Sequence, residues 1–282
     1  MKSFLYLGLS LSFVLAACGA NTSPVISAQN NSDSIIGGEK ALPTSPMQAS
    51  TVALVSIEDN QPSVFCSGTL ISKNLVVTAA HCFYFRGEEK FYVFFGENLP
   101  TSVDDPRLIK IESAVYHKNF KMIPNQTFDQ YTILNDIGLV HLSVDAPKGF
   151  VPAPILTTSR YLKKDMELIL AGYGMVNEKT EEYATTLNYA KVPFLGPVDN
   201  YLVFDQSGNR GVCFGDSGGP AYLETAKGLV LLGETNGVYK GAPDCHHQTQ
   251  VTDVTKYRRF ILTTAKKLKA DLPTYLKPNE LN

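Results

Sequence analysis

Charge of one sign, long apolar runs and cysteine are all scarce in this chain, and each scarcity excludes something. Among 282 residues, 25 are Lys or Arg and 27 are Asp or Glu, for a net charge of −2. So balanced a composition carries no signature of a nucleic-acid partner. The one basic cluster, Lys256, Arg258, Arg259, Lys266, Lys267 and Lys269, reads as the solvated face of a helix. Beyond residue 17 no run is long and apolar enough to cross a bilayer. What remains is an ordinary globular composition with frequent Gly and Pro and short apolar runs, as in a β-rich chain with many turns.

The single longer apolar run, residues 4–17, follows Lys2 and is short for a membrane span, so residues 1–17 read as a signal peptide. Its end, Leu15-Ala16-Ala17-Cys18, resembles the lipobox of bacterial lipoproteins. The resemblance implies a lipid on Cys18, which becomes the first residue of the processed chain; the alternative is plain signal cleavage after Ala20. An exported bacterial protein is expected, secreted or tethered to a membrane only through that lipid. Residues 19–34 are rich in Ser and Asn and have little to bury, as in a linker or propeptide.

There are five cysteines, Cys18, Cys66, Cys82, Cys213 and Cys245, and lipidation of Cys18 leaves four. In an exported chain four cysteines suggest two disulfides, with three possible connectivities. Pairing Cys66 with Cys82 and Cys213 with Cys245 closes two local loops and is the expected arrangement.

From Ile35 onward short β-type runs recur between turn residues: 51–57, 68–72, 74–80, 90–96, 108–116, 137–142, 167–174, 184–195, 220–224 and 228–237. Many short strands argue for a sandwich or barrel. The Pro-containing stretch 145–154 is placed to join two halves, and no internal repeat is evident. Val254, Tyr257, Phe260, Ile261 and Leu268 fall near helical spacing, which predicts an amphipathic helix over 253–270 and leaves 271–282 as a tail.

Three short stretches carry chemistry. TAAHC (78–82) sets His81 beside Cys82; NDIGLVHL (135–142) sets Asp136 before an apolar strand; CFGDSGGP (213–220) holds Ser217 among glycines. A serine hydroxyl needs a base to become a nucleophile. A covered carboxylate needs a partner, and an imidazole N–H is a good one. Base, acid and hydroxyl are the parts of a catalytic triad.

With IIGG (35–38), CSGTLISKNLVVTAAHC (66–82) and GYG (172–174), these motifs make the chain resemble the trypsin/chymotrypsin family of serine proteases over residues 35–265. The resemblance implies an all-β fold: two perpendicular six-stranded antiparallel β-barrels, about 35–150 and 151–252, with the cleft between them and a C-terminal α-helix. It implies His81 as general base, Asp136 as its orienter, Ser217 as nucleophile and the N–H groups of Gly215 and Ser217 as the oxyanion hole. It implies the same two disulfides. It also implies a zymogen, in which a cut before Ile35 frees an amine that pairs with Asp216. Such activators cut after Lys or Arg, and Ser34 is neither, so another protease or the enzyme itself is expected to cut.

The family's position at the floor of the S1 pocket falls on Gly211, which removes the acid that would select Lys or Arg. Val238 and Thr249 fall on the pocket walls and resemble the elastase branch, so cleavage after small apolar residues is expected. Asn236-Gly237 stands where the family has Ser-Trp; Asn236 is placed to bond the triad acid through its amide. Tryptophan is absent from the whole chain, so the apolar wall it supplies to substrate is missing.

Other polar residues have plain readings. His117 reads as a loop residue, His141 as a structural histidine on an apolar strand, and His246 and His247 as a solvent-exposed loop. No ligand set for a metal accompanies them. Glu97, Asp104 and Asp105 are acids that resemble the calcium loop of some relatives, the lesser alternative to the expectation of no metal. No cofactor and a monomer are expected. The function read from these residues is a serine endopeptidase acting on proteins or peptides; the alternative is a catalytically silent homologue used for binding or adhesion.

Overall fold

The computed structural model describes residues 35–84, 86, 90–124, 131–239 and 244–281. The expected signal peptide, Cys18 and the 19–34 linker lie outside the described residues. Twelve strands build two closed barrels. The first uses β1 (Thr51–Glu58), β2 (Gln61–Ser72), β3 (Leu75–Thr78), β4 (Phe91–Phe94), β5 (Leu108–Tyr116) and β6 (Gly138–Leu142), closed in the order β1-β2-β3-β6-β5-β4. The second uses β7 (Glu167–Gly172), β8 (Asn188–Val198), β9 (Tyr201–Asp205), β10 (Pro220–Thr225), β11 (Gly228–Val238) and β12 (Gln248–Asp253). Its order is β7-β8-β9-β12-β11-β10, with β10 pairing back onto β7. All these pairings are antiparallel, and the two barrels share one connectivity. No repeat in the sequence announces that likeness.

Each barrel is filled from within by the alternate residues of its strands, since successive side chains point to opposite faces. Val52, Leu54, Leu70, Val76, Val93, Val140 and Leu142 form one core; Leu168, Leu170, Val192, Phe204, Leu232 and Val251 form the other. A third cluster, including Val55, Val77, Phe94, Leu139, Ile169, Tyr222, Val254 and Ile261, joins strands of both barrels to the C-terminal region. Within it Tyr222 lies fully buried, and its hydroxyl meets Ser50 Oγ at 2.7 Å.

Two barrel strands, β9 and β12, are absent from the expected set, and β2 begins at Gln61 rather than 68. β12 reads QTQVTD, whose apolar content is too low to signal a strand; pairing with β9 and β11 supplies its burial. The C-terminal helix is shorter than its periodic pattern, a 3₁₀ turn at Val254–Tyr257 followed by α2 at Arg258–Leu268. It stops at Lys269 in the left-handed conformation (φ 58°), whose N–H caps the Ala265 carbonyl. The tail beyond is docked: Tyr275–Leu276 pairs in parallel with Ile155–Leu156, and Leu281 is buried.

Both disulfides form as expected, Cys66–Cys82 and Cys213–Cys245. The first ties β2 to the short helix α1 (His81–Tyr84), so His81 stands on a fixed turn.

Candidate active site

Asp136 is fully buried, and groups from both barrels converge on it. It follows Asn135, held in the left-handed region at φ 53°, and precedes β6. From the first barrel the His81 backbone N–H donates to Oδ1 at 2.8 Å, and His81 Nδ1 lies 2.7 Å from Oδ2. From the second, Asn236 Nδ2 donates to Oδ2 at 2.5 Å and the Thr252 hydroxyl donates to the Asp136 carbonyl at 3.1 Å. Gln250 Nε2 in turn donates to Asn236 Oδ1 at 2.5 Å, which orients that amide with its N–H groups toward Asp136. Burial works to lower the His81 pKa, but the charge and hydrogen bond of Asp136 outweigh it and hold the imidazole above 6.5. With Nδ1 committed to Asp136, Nε2 is the nitrogen left to accept a proton.

Ser217 lies on the loop between β9 and β10, which is pinned along its length. Gln206, fully buried, accepts from the Val212 N–H at 2.8 Å and donates to the carbonyls of Val212 (3.1 Å) and Cys245 (2.7 Å). The Gly218 N–H donates to the Thr235 carbonyl at 2.7 Å, and the Ser217 carbonyl accepts from the Ser67 N–H of β2 at 2.8 Å. Cys82, next to His81, places its sulfur 3.9 Å from that same Ser217 carbonyl. Thus the serine is seated beside the histidine turn. Among the described residues no hydrogen bond joins Ser217 Oγ to His81; such contacts commonly tighten only with substrate bound. Gly218 has φ 79°, and a Cβ there would fall 2.0 Å from Thr78 Oγ1, so the motif's glycine is a steric requirement. The N–H groups of Gly215 (φ 91°) and Ser217 donate to no described protein group, whereas those of Asp216 and Gly218 do.

Asp216 is also fully buried. Its carboxylate accepts from Gly174 N–H (2.8 Å) and Cys213 N–H (2.9 Å) and forms no ion pair with a described side chain. A Cβ on Gly172 would lie 2.2 Å from Asp216 Oδ1, which explains the glycine of GYG. Burial, opposed by the two backbone bonds, raises the Asp216 pKa to about 7. Ile35 is fully buried in the second barrel's core, and the Ile36 carbonyl accepts from the Gly211 N–H at 3.0 Å.

Around the expected pocket, Val238 and Thr249 are direct register partners on β11 and β12. Val238 packs against the cluster of Ile36, Met175, Cys213 and Cys245. Gly211 is buried beside Gln206: a Cβ at Gly211 would come within 2.2 Å of the Gln206 side chain. Gly237 has open space where a Cβ would sit, in keeping with a missing aromatic wall.

The remaining expectations resolve one by one. Glu97 and Asp105 are engaged by Lys40 (3.4 Å) and Arg107 (2.6 Å) rather than by each other. His141 pairs with Glu112 at 3.6 Å. His247 is exposed beside Asp244 as read, whereas His246 is partly buried 3.5 Å from Glu178. His117 is more than a loop residue, packed edge-on to Tyr257 and Phe260. Two groupings of metal-type donors occur among the described residues, Cys66/His81/Cys82 and Glu178/Cys213/Cys245; each consists of a disulfide and one other side chain, so neither offers thiolate.

An acid–imidazole pair beside a glycine-bracketed serine, where two six-stranded antiparallel barrels meet, defines a serine endopeptidase. The trypsin family model matches residues 35–261. Brachyurin of Leptuca pugilator is 28% identical, the match covering 77% of this chain and 94% of the relative. Chymotrypsin-2 of Vespa crabro is also 28% identical, over 65% and 83%. Trypsin of Sus scrofa is 25% identical, over 82% and 94%. The chain belongs to the trypsin family of serine endopeptidases.

Gln206, Gln250, Ser67 and Glu234 were not legible as site residues; only Glu234, a carboxyl at the end of the apolar run GLVLLG, carries a local signal. Glu234 is the extreme case. It lies on β11 opposite Thr252 in register, is fully buried, and neither carboxyl oxygen has a hydrogen-bond partner among the described residues. Burial first, and the charge of Asp136 second, push its pKa well above 4.5 against an opposing contribution from the Thr252 side chain. Because the folded value exceeds the unfolded one, its contribution to stability is present below pH 4.5 and is lost as pH rises through the folded value. Glu234→Gln mimics the neutral carboxyl. It should therefore stabilise the chain by an amount that grows as pH rises above 4.5 in urea titrations; an unchanging difference would exclude titration of Glu234 as the cause.

Proposed function

We propose that this endopeptidase works through His81, Asp136 and Ser217 and cuts after small apolar residues once a cut before Ile35 has activated it. The observation that carries the reading is the His81–Asp136 bond at 2.7 Å beside the Ser217 loop. Ser217 Oγ attacks the peptide carbonyl as His81 Nε2 takes its proton. Asp136 holds the imidazole in the tautomer with Nδ1 protonated and stabilises the imidazolium. The N–H groups of Gly215 and Ser217 receive the oxyanion. His81 then protonates the leaving amine, the acyl-enzyme forms, and water releases it. Asn236, held by Gln250, supplies the hydrogen bond that a serine gives Asp136 in relatives.

The pocket reading rests on an uncharged floor, Gly211 with Gln206, whose amide is spent on backbone groups, and on walls of Val238 and Thr249. A buried cation would find no counter-charge there. Activation rests on the Asp216 carboxyl, buried without a cation and raised to about 7. An Ile35 ammonium would pair with it and draw it into the ionised form. If Cys18 carries lipid, the same cut releases the catalytic domain from a membrane, a reading supported by residues 4–18 alone.

Ser217→Ala should lower peptide hydrolysis on the order of 10⁶-fold; survival of activity would leave the silent-homologue reading. In the wild type, activity should rise as His81 loses its proton, with a midpoint above pH 6.5; a flat profile from acid to neutral pH would remove His81 as the base. A panel of short peptides should favour Ala or Val before the cut over Arg or Phe by roughly tenfold or more, and a strong preference for Arg or Phe would overturn the pocket assignment. Mass spectrometry of the active form should find Ile35 at the N-terminus; an active chain beginning at Cys18 would exclude the switch.

A further inference from the structure

We propose that Gln206 sets the depth of the pocket for the residue before the cut, a role that rests on the pocket reading above and names the side chain that shortens it. Gly211 has no side chain, yet the space beside it is filled. A Cβ at Gly211 would meet Gln206 Cδ and Oε1 at 2.2 Å and Gln206 Cγ at 2.5 Å, so its three nearest neighbours all belong to one residue. The glycine makes room for Gln206, whose carboxamide takes the place that a side chain at 211 would occupy.

Gln206 reaches this place from its strand. It follows β9 directly, and its N–H extends the ladder by donating to the His247 carbonyl at 2.8 Å. Phe204, two residues earlier, is the register partner of Thr249 on β12. Side chains two apart along an extended chain share a face. Gln206 therefore stands on the face that carries the wall residue Thr249.

The end of a glutamine is ordinarily free to move aside, and here it is held. Gln206 is fully buried. Its Nε2 donates to the carbonyls of Val212 (3.1 Å) and Cys245 (2.7 Å), and its Oε1 accepts from the Val212 N–H at 2.8 Å. The amide thus clips together the same two segments that the Cys213–Cys245 disulfide joins. Displacing it would leave buried backbone groups unpaired, which is costly. Gly211 is held from its other side. Its N–H donates to the Ile36 carbonyl at 3.0 Å, and a Cβ on Gly37 would fall 2.0 Å from the Asn209 carbonyl oxygen. The backbone of 209–211 is therefore wedged between residues 36–37 and the Gln206 amide.

With both N–H groups spent on carbonyls, the amide has no donor left for a polar side chain and no charge for an ionic one. It acts on the substrate by bulk. An Ala or Val side chain ends short of it, and each further methylene must displace a held group.

The test compares kcat/KM of the active enzyme on short peptides that differ only at the residue before the cut. The wild type should cut after Val better than after Leu. Gln206→Ala removes the carboxamide and should raise the Leu-to-Val ratio by roughly tenfold or more; Gln206→Asn, an amide shorter by a methylene, should raise it by about threefold. A second measurement probes the same space without substrate. Gly211→Ala should lower the urea midpoint when Gln206 is present and lower it less in either Gln206 variant, where the added methyl group has room. Should Gln206→Ala be too unstable to assay, Gln206→Asn carries both measurements with the same signs. A wild type that favours Arg or Phe would remove the pocket reading and leave the midpoint comparison standing. A wild type that favours Ala or Val, with ratios unchanged in the Gln206 variants, would overturn Gln206 as the determinant. An equal cost of Gly211→Ala with and without Gln206 would overturn the placement of the amide.

Discussion

The buried carboxylate of Asp136 is the constraint around which the site is organised. A charge with no solvent must be met by donors, and here they come from both barrels: His81 by backbone and ring, Asn236 by its amide, with Thr252 holding the adjacent carbonyl. The same bonds that satisfy the charge lock the imidazole in one tautomer and join β12 and β11 to the loop before β6. Orientation of the imidazole and attachment of the two barrels are therefore one set of interactions.

Asp216 is the second buried acid, and the contrast between the two is instructive. Asp136 faces an ionisable partner within 2.7 Å, whereas Asp216 has only two backbone N–H donors. The first raises its neighbour's pKa; the second has its own raised, to about 7. Glu234, buried with neither carboxyl oxygen hydrogen-bonded among the described residues, joins Asp216 in having its pKa raised by desolvation.

Much of the site was readable because its parts are local. TAAHC, NDIGLVHL and GDSGGP each hold a reactive residue and the small or glycine neighbours its backbone needs, and Gly218 shows why: any side chain would strike Thr78. The disulfide pairs and ten of the strand segments were likewise legible. Strands β9 and β12 were not: β12 reads polar until its partners cover it, whereas β9, YLVFD, is as apolar as strands that were read. The partners of the reactive residues were illegible for a different reason. Gln250 and Gln206 carry no local pattern; their importance comes from atoms that the closed barrel and the loop contacts bring close.

The amino-acid sequence by itself determined that the chain is β-rich with a C-terminal helix, which follows from short-range periodicity, and its motifs carried the resemblance to the serine endopeptidase family on which the proposed roles of His81, Asp136 and Ser217 rest. Only the tertiary structure decided that both barrels share one connectivity, that the Asn236 amide donates to Asp136, and that His117 packs edge-on against Tyr257 and Phe260. The physical reason is distance along the chain. Asn236 meets Asp136 across 100 residues, and His117 meets Phe260 only where α2 docks, so neither contact exists until the barrels close.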